Sequence, residues 1–158
     1  MKHIVGISEM KVTDQVNHTL VTYALGSCIG VTIYDPVARV GGMIHCMLPL
    51  SKMDPNKAER TPGMFVDTGL PMLFEEAYRL GAAKSRIVLK VAGASCILDE
   101  KGTFKIGDRN YAVLRKILWK NNVLIAAEDV GGTIPRTMEL DMATGQVTIK
   151  SRGNAIQL

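Results

Sequence analysis

Two residues with reactive side chains, a thiol and an imidazole, lie in consecutive predicted strands of this chain. Cys28 opens the run 28–34 and His45 lies within the run 40–48, and both runs are rich in the apolar residues of a strand. Pro36 predicts a turn between them, because proline fixes φ and cannot continue a central strand. A hairpin at this turn brings Cys28 and His45 onto neighbouring antiparallel strands.

The register of this hairpin decides how closely the two side chains approach. A two-residue loop pairs Asp35 with Ala38 and places Cys28 directly opposite His45, with Cβ atoms about 4.5–5.5 Å apart. A four-residue loop pairs Asp35 with Val40 and makes Cys28 and His45 diagonal neighbours. Because strand side chains alternate between faces, both registers keep the thiol and the imidazole on one face, whereas an odd loop length separates them.

A Cys–His pair is the minimal unit of thiol nucleophilic catalysis. The imidazole of His45 would take the proton of the Cys28 thiol and later protonate a leaving group. Gly26 and Ser27 come directly before Cys28, and N–H groups exposed in such a glycine-containing turn would form an oxyanion hole. Thr22 is the candidate third member, which would orient the imidazole through its hydroxyl or carbonyl oxygen.

The other cysteines offer alternatives, and cysteine is also a common structural residue of protein cores. Cys96 ends a predicted buried strand and is a rival nucleophile, although no histidine follows it in the chain. Cys46 is expected to lie in the core. Since neighbouring strand residues point to opposite faces, a zinc site built from Cys28, His45, Cys46 and His18 is disfavoured.

Short motifs along nearly the whole chain occur in an order that characterises one protein family. They are Leu25-Gly-Ser-Cys28, Asp35-Pro36-x-Ala38-x-Val40-Gly41, His45-x-Met-Leu-Pro49, Phe65-Val-Asp-Thr68, Arg79-Leu-Gly-Ala82, Gly93-Ala-Ser95, Ile106-Gly-x-Arg-Asn110, Ala127-Glu-Asp-Val-Gly-Gly132, Arg136-Thr137 and Ala143-Thr-Gly145. With these motifs the chain resembles the CheD chemoreceptor glutamine deamidases.

The resemblance implies a function and a set of partners. Its catalytic triad maps onto Cys28, His45 and Thr22, and its reaction converts chemoreceptor glutamines to glutamate through a Cys thioester in chemotaxis adaptation. The expected partners are the cytoplasmic helices of methyl-accepting chemoreceptors and a CheC-type phosphatase, without metal or organic cofactor. Two alternatives remain: a non-catalytic adaptor that binds such a phosphatase or receptors, and a thiol hydrolase of small amides.

Composition narrows the class of protein. The chain has 158 residues and a net charge of +4, with basic and acidic residues mixed along its length. Because it has no block of Lys or Arg, a nucleic-acid partner is not expected. No apolar run is long enough to span a bilayer, and the N-terminus lacks a secretory-signal pattern. Three cysteines without framework spacing fit a reducing compartment, so we expect a cytoplasmic protein that is not inserted in a membrane.

Apolar periodicity predicts two main helices. The first spans 67–80, with Asp67 or Thr68 as its N-cap, because Pro71 is tolerated only near the first turn. The second begins at Asp108 as N-cap and ends at 121–122. Its buried face is predicted from Tyr111, Leu114, Ile117 and Leu118.

The remaining segments predict strands and one long connection. The strands are expected at 1–6, 86–92, 123–127, 137–141 and 146–150, with one or two more between 12 and 24. The charged and proline-rich segment 50–63 predicts a surface loop beside the strand of His45. This pattern predicts an α/β fold with mixed or antiparallel sheets, and the resemblance implies a single layered domain over 1–158 with the two main helices packed outside.

Overall fold

The chain forms two β-sheets and three α-helices in the parts that the structure, a computed structural model, describes, which are residues 1–96 and 105–158. The strands are β1 (Lys2–Ile4), β2 (Met10–Thr13), β3 (Thr19–Leu25), β4 (Ile29–Asp35), β5 (Val40–Cys46), β6 (Val88–Gly93), β7 (Ile125–Val130), β8 (Arg136–Asp141), β9 (Val147–Ser151) and β10 (Asn154–Gln157). The helices are α1 (Pro55–Arg60), α2 (Val66–Arg79) and α3 (Ile106–Lys120). The predicted α/β class is confirmed.

Both sheets are mixed and contain five strands. The first sheet has the order β1-β3-β8-β9-β10, and the second has the order β2-β5-β4-β6-β7. Each sheet contains one parallel pair, β1 with β3 and β6 with β7, while the other neighbours are antiparallel. The predicted mixture of strand directions is therefore confirmed.

Two apolar clusters divide the molecule into three layers. One cluster fills the space between the sheets and includes Leu20 of β3, Met43 of β5 and Met138 of β8. The other lies between the second sheet and the helices and includes Ile44 of β5 and Leu114 of α3. The strands β4 and β5 contribute to both clusters because their side chains alternate between the two faces.

The start of α2 differs from the prediction. The helix begins at Val66 after Phe65, whose side chain makes no capping hydrogen bond, so the predicted N-cap at Asp67 or Thr68 is wrong. The Asp67 carboxylate instead accepts hydrogen bonds from the backbone N–H and the hydroxyl of Ser51, at 2.8 and 2.9 Å. The Asp67 side chain therefore binds Ser51, in a segment distant along the chain, and does not cap the helix.

The segment 50–63 is also more regular than predicted. It contains a 3₁₀ turn at Ser51–Met53, the short helix α1, and the start of a second 3₁₀ turn at Pro62–Met64. The Asp54 carboxylate accepts a hydrogen bond from the N–H of Lys57 and caps α1. The segment is therefore a chain of short helical turns, not a plain loop.

The helix α3 begins three residues earlier than predicted. Its N-cap is Lys105, with φ of 46°, and not Asp108, which lies within the first turn. Leu114 and Leu118 are buried as predicted, whereas Tyr111 and Ile117 are only partly buried. The polar side chain of Asn110 is fully buried, which the apolar periodicity did not indicate.

The later strands match the predicted ones with shifted ends. The predicted strand at 86–92 begins at Val88, because Lys84–Arg86 forms a 3₁₀ turn. The strand β10 was not predicted, and all four of its residues are exposed. None of the helices in 1–96 and 105–158 is long and apolar enough to cross a membrane.

Candidate active site

The hairpin of β4 and β5 follows the four-residue-loop register. Asp35 pairs with Val40, Gly30 pairs with His45, and Ile29 pairs with Cys46. Cys28 comes one residue before β4, so its position is diagonal to that of His45. The register that places the two residues directly opposite each other is thereby excluded.

The thiol and the imidazole both face the space between the sheets. Met43 lies two residues before His45 on β5 and belongs to the inter-sheet cluster, while Ile44 and Cys46 belong to the helix-side cluster. Cys28 is partly exposed and packs against the inter-sheet cluster. The expected burial of Cys46 in the core is confirmed, since only 1% of its surface is exposed.

Thr22 of β3 holds the imidazole from the facing sheet. Its hydroxyl oxygen lies 2.7 Å from His45 Nδ1 and 2.6 Å from the carbonyl oxygen of Val5. The Val5 carbonyl can only accept, so the single hydroxyl proton of Thr22 goes to Val5. We therefore assign the Nδ1–H tautomer to His45, which donates to Thr22 and leaves Nε2 with a free lone pair.

His45 Nε2 is buried, and it has no hydrogen-bond partner among the described residues. No hydrogen bond joins it to the Cys28 sulfur. The free lone pair is thus available on the face that His45 shares with Cys28.

Burial decides the protonation of both groups. It lowers the pKa of His45 to about 4. It raises the pKa of the Cys28 thiol above its ordinary value, against a smaller opposing effect of the residue's own backbone N–H. At neutral pH the pair is therefore a neutral thiol beside a neutral imidazole. This differs from the thiolate–imidazolium pair that a solvent-exposed arrangement would favour.

The turn before the nucleophile is shaped by a β-bulge. The pairing of β3 with β8 shifts between Thr22 and Leu25, and Ala24 in between has a φ of 57°. The N–H of Gly26 donates to the carbonyl oxygen of Ala24 at 2.9 Å. Gly26 therefore contributes to the turn through its backbone conformation, and its N–H is not a free oxyanion donor.

All three carbonyl groups of the turn 26–28 accept hydrogen bonds. Ser95 N–H donates to Gly26 O at 2.8 Å, and Ala94 N–H donates to Cys28 O at 2.8 Å. The Asn110 side chain donates to Ser27 O at 2.9 Å. In a planar trans peptide the C=O and the following N–H point in opposite directions, so the N–H groups of Ser27 and Cys28 point away from these donors. Neither donates to a backbone carbonyl within 1–96 and 105–158, and the Cys28 N–H faces the thiol of its own residue.

Comparison with known proteins identifies the family. A family model described as "CheD chemotactic sensory transduction" matches residues 47–151. The chain belongs to the CheD family. The matched region begins after His45, so the family model does not cover the three candidate positions Thr22, Cys28 and His45.

Curated relatives of the CheD family match nearly the full chain. A probable chemoreceptor glutamine deamidase CheD 1 of Syntrophus aciditrophicus is 52% identical over 98% of this chain and 96% of its own length. Those of Solibacter usitatus and Pyrococcus horikoshii are 45% and 39% identical, over 98% and 95% of this chain and 92% and 93% of theirs. A hypothetical protein of Bacillus licheniformis, YfiH, has a TM-score of 0.47 at 16% identity over 77% of this chain and 49% of its own, a likeness too remote to assign a function.

Several residues that support this CheD-family site were missed by the sequence reasoning. Arg136 donates to Ser95 Oγ at 2.7 Å and to Gly93 O at 3.2 Å, and it pairs with Asp129 at 3.0 Å. Arg136 thus holds the end of β6 and Ser95, and Asn110 donates to the turn 26–28 from α3. Ser95, Asn110 and Arg136 all lie in the family-like motifs at 93–95, 106–110 and 136–137. The motifs alone do not indicate which residues these side chains contact.

The alternative sites gain no support from the described residues. Cys96 is exposed, whereas Cys28 is partly buried against the inter-sheet cluster, on the side that His45 faces. Within 1–96 and 105–158, no group of three or more His, Cys, Asp or Glu side chains is placed to hold a metal ion. The candidate site therefore consists of Cys28, His45 and Thr22 with the backbone of Ser27 and Cys28.

Proposed function

We propose that this chain is a cysteine-dependent protein-glutamine deamidase that converts chemoreceptor glutamines to glutamate in chemotaxis adaptation. Membership of the CheD family and the names of the curated relatives support the reaction and the substrate. The assignment of Cys28 and His45 as catalytic residues rests on the hydrogen bond between Thr22 and His45 Nδ1. This bond leaves Nε2 free on the face of the sheet that His45 shares with Cys28.

The first half of the reaction forms a thioester. Cys28 Sγ attacks the carbon of the glutamine carboxamide while His45 Nε2 takes the thiol proton. The N–H groups of Ser27 and Cys28 donate to the oxygen as it gains negative charge. His45 then gives its proton to the amide nitrogen, the C–N bond breaks, and ammonia leaves.

The second half of the reaction hydrolyses the thioester. His45 Nε2 takes a proton from a water molecule, whose oxygen attacks the acyl carbon. The C–S bond breaks, the Cys28 sulfur regains a proton, and the substrate leaves as glutamate. One water is consumed and one ammonia is released. Because burial lowers the pKa of His45 to about 4, the imidazolium is a strong acid. It therefore readily gives its proton to the leaving amide nitrogen and, in the second half, to the Cys28 sulfur.

The biological setting belongs to the same proposal. The substrate segments are cytoplasmic helices of methyl-accepting chemoreceptors, and a CheC-type phosphatase is the expected partner. The chain then acts in the cytoplasm as a single deamidase domain over 1–158. The names of the relatives support the chemoreceptor substrate, whereas the phosphatase partner follows from the family resemblance alone.

The test is mass spectrometry of a cytoplasmic chemoreceptor fragment incubated with the protein. We expect conversion of specific glutamines to glutamate, and none with Cys28→Ala, since no other group forms the thioester. Cys96→Ala is the matched control and should retain the reaction. Equal conversion by Cys28→Ala and wild type would refute the mechanism. If active wild-type protein converts only small amides and no receptor glutamine, the substrate assignment is wrong.

A further inference from the structure

Asn110 connects the two segments that carry the nucleophile and the base. Its side chain lies in the first turns of α3 and is 0% exposed. Its Nδ2 donates to Ser27 O at 2.9 Å and to Met47 O at 3.1 Å. Ser27 directly precedes Cys28, and Met47 directly follows β5, the strand of His45. Because both partners are carbonyl groups, the amide nitrogen must be the atom that faces them.

The amide of Asn110 bridges the strands at the point where their own pairing ends. The last paired residues of β4 and β5 at this end are Ile29 and Cys46. Ser27 and Met47 lie just beyond them, where a single side chain reaches both carbonyl groups. Asn110 therefore sets the separation between the turn 26–28 and the end of the His45 strand.

The close packing of α3 keeps Asn110 within reach. A Cβ atom at Gly107 would lie 2.6 Å from Ser95 O and 2.8 Å from Ala94 O, so only glycine allows the helix to approach this backbone. Ala94 and Ser95 in turn donate to the carbonyl groups of Cys28 and Gly26. Gly107 and Asn110 are three residues apart and lie on the same face of α3.

The buried amide of Asn110 is also destabilising through its oxygen atom, which indicates that its nitrogen atom has a specific role. Asn110 Oδ1 is buried, and no residue in the described parts of the chain donates to it. An unpaired buried acceptor is destabilising, so an apolar residue would suit a purely structural position better. What an apolar residue at position 110 could not provide is the pair of hydrogen bonds that Asn110 Nδ2 donates to Ser27 O and Met47 O.

We propose that Asn110 is a positioning residue for the deamidation reaction. It acts on the backbone and holds the turn of Cys28 in register with His45, without contacting the substrate itself. The proposal rests on the proposed function to the extent that Cys28 is the nucleophile. Loss of the amide releases one of the three donors that hold the turn, and a displacement of about 1 Å at a reacting group costs about 10²-fold in rate.

The test compares Asn110→Leu with Leu114→Ala. Leucine has the same branched arrangement of side-chain heavy atoms as asparagine but removes both donor bonds, and Leu114 is a buried neighbour one turn further along the same face of α3. The readouts are kcat and KM for a receptor fragment, the iodoacetamide labelling rate of Cys28, and the thermal midpoint. We expect Asn110→Leu to lower kcat about 10²-fold with unchanged KM and slower labelling. Leu114→Ala should lower the thermal midpoint while kcat and labelling stay near wild type.

Two results would overturn the proposal. One is a folded Asn110→Leu protein with wild-type kcat and labelling. The other is a loss of kcat that follows the loss of thermal midpoint equally in both variants, because that is the behaviour of a structural residue. If Asn110→Leu does not fold, Asn110→Ser, which is too short to reach both carbonyl groups, takes its place with the same expectations.

The labelling assay needs no receptor, and it separates this proposal from the proposed function. If Cys28→Ser is inactive while Asn110→Leu behaves like wild type, only the positioning role fails. If Cys28→Ser deamidates normally, the nucleophile assignment fails, whatever the effect of Asn110→Leu on labelling.

Discussion

At the scale of single residues, the protonation of the site follows from burial and from one hydroxyl group. The Thr22 hydroxyl donates to Val5, so it accepts from His45 and fixes which imidazole nitrogen is the base. Burial then keeps both the Cys28 thiol and the His45 ring neutral at neutral pH.

The first prediction concerns pH. Because the pKa of His45 is lowered to about 4, the base stays deprotonated well below neutral pH. The acid limb of kcat/KM, which reports the free enzyme, should therefore have its inflection near pH 4 and not near 6.5, the ordinary value for histidine. The measurement is a pH–rate profile with circular dichroism at each pH to show that the protein remains folded. An inflection near pH 6.5 in folded protein would contradict the assignment of a buried neutral base.

The second prediction concerns Thr22. Thr22→Val keeps the shape of the side chain but leaves His45 Nδ1 and Val5 O without their shared partner. We expect a lower kcat together with a stability loss of about 1–3 kcal/mol, because buried groups lose a hydrogen bond. Thr22→Ser keeps the hydroxyl and should retain most of the activity. Equal kcat values for the valine and serine variants would show that the hydroxyl does not orient the imidazole.

At the scale of elements, the β4–β5 hairpin shows what local sequence can predict. Its existence, its alternation and the buried position of Cys46 follow from short-range patterns, and all were predicted. The choice between the two registers was left open, because it depends on contacts that the turn makes with other segments. The Asp35 carboxylate accepts from Val37 and Ala38 within the turn, and also from Ala83 and Arg86 beyond it.

The third prediction tests this turn. Burial opposes ionisation of Asp35, but the hydrogen bonds from Arg86 and from three backbone N–H groups hold its pKa below its ordinary value. Its contribution to stability is therefore complete above the unfolded pKa of about 3.9 and declines as the pH falls below it. Asp35→Asn should lower the free energy of unfolding at pH 7, and the difference from wild type should narrow at pH 3. The measurement is urea unfolding at both pH values.

The control for this prediction is Glu76→Gln. Glu76 pairs with Arg79 on the exposed surface of α2, where an ion pair contributes little. This variant should match wild type at both pH values. A constant difference between Asp35→Asn and wild type from pH 7 to pH 3 would contradict the assigned role of the carboxylate.

The helix ends show what local sequence cannot predict. Asp67 and Asp108 are good capping residues, yet α2 and α3 begin before them, at Val66 and Ile106. Asp67 is engaged by Ser51, a contact between segments sixteen residues apart. Helix starts of this kind are set by tertiary contacts that outweigh the intrinsic preference for a cap.

At the scale of the whole molecule, the candidate site is a product of the layer arrangement. Thr22 lies on the first sheet, His45 lies on the second, and Asn110 reaches the site from the helix layer. No spacing along the sequence predicts contacts between three layers. The pairing of Cys28 with His45 was predictable because it arises within one hairpin, whereas Thr22 was supported mainly by the family resemblance, and Asn110 emerged only from the fold.

The central claim is that His45 activates Cys28, and peptide mapping after iodoacetamide labelling at neutral pH tests it most directly. Because His45 takes the thiol proton as the sulfur attacks, the Cys28 thiol of His45→Ala should label more slowly than in wild type, and deamidation should fall by about 10²–10⁴-fold. His3→Ala and His18→Ala are the controls and should label at the wild-type rate. Equal labelling of Cys28 in wild type and in folded His45→Ala would contradict the claim.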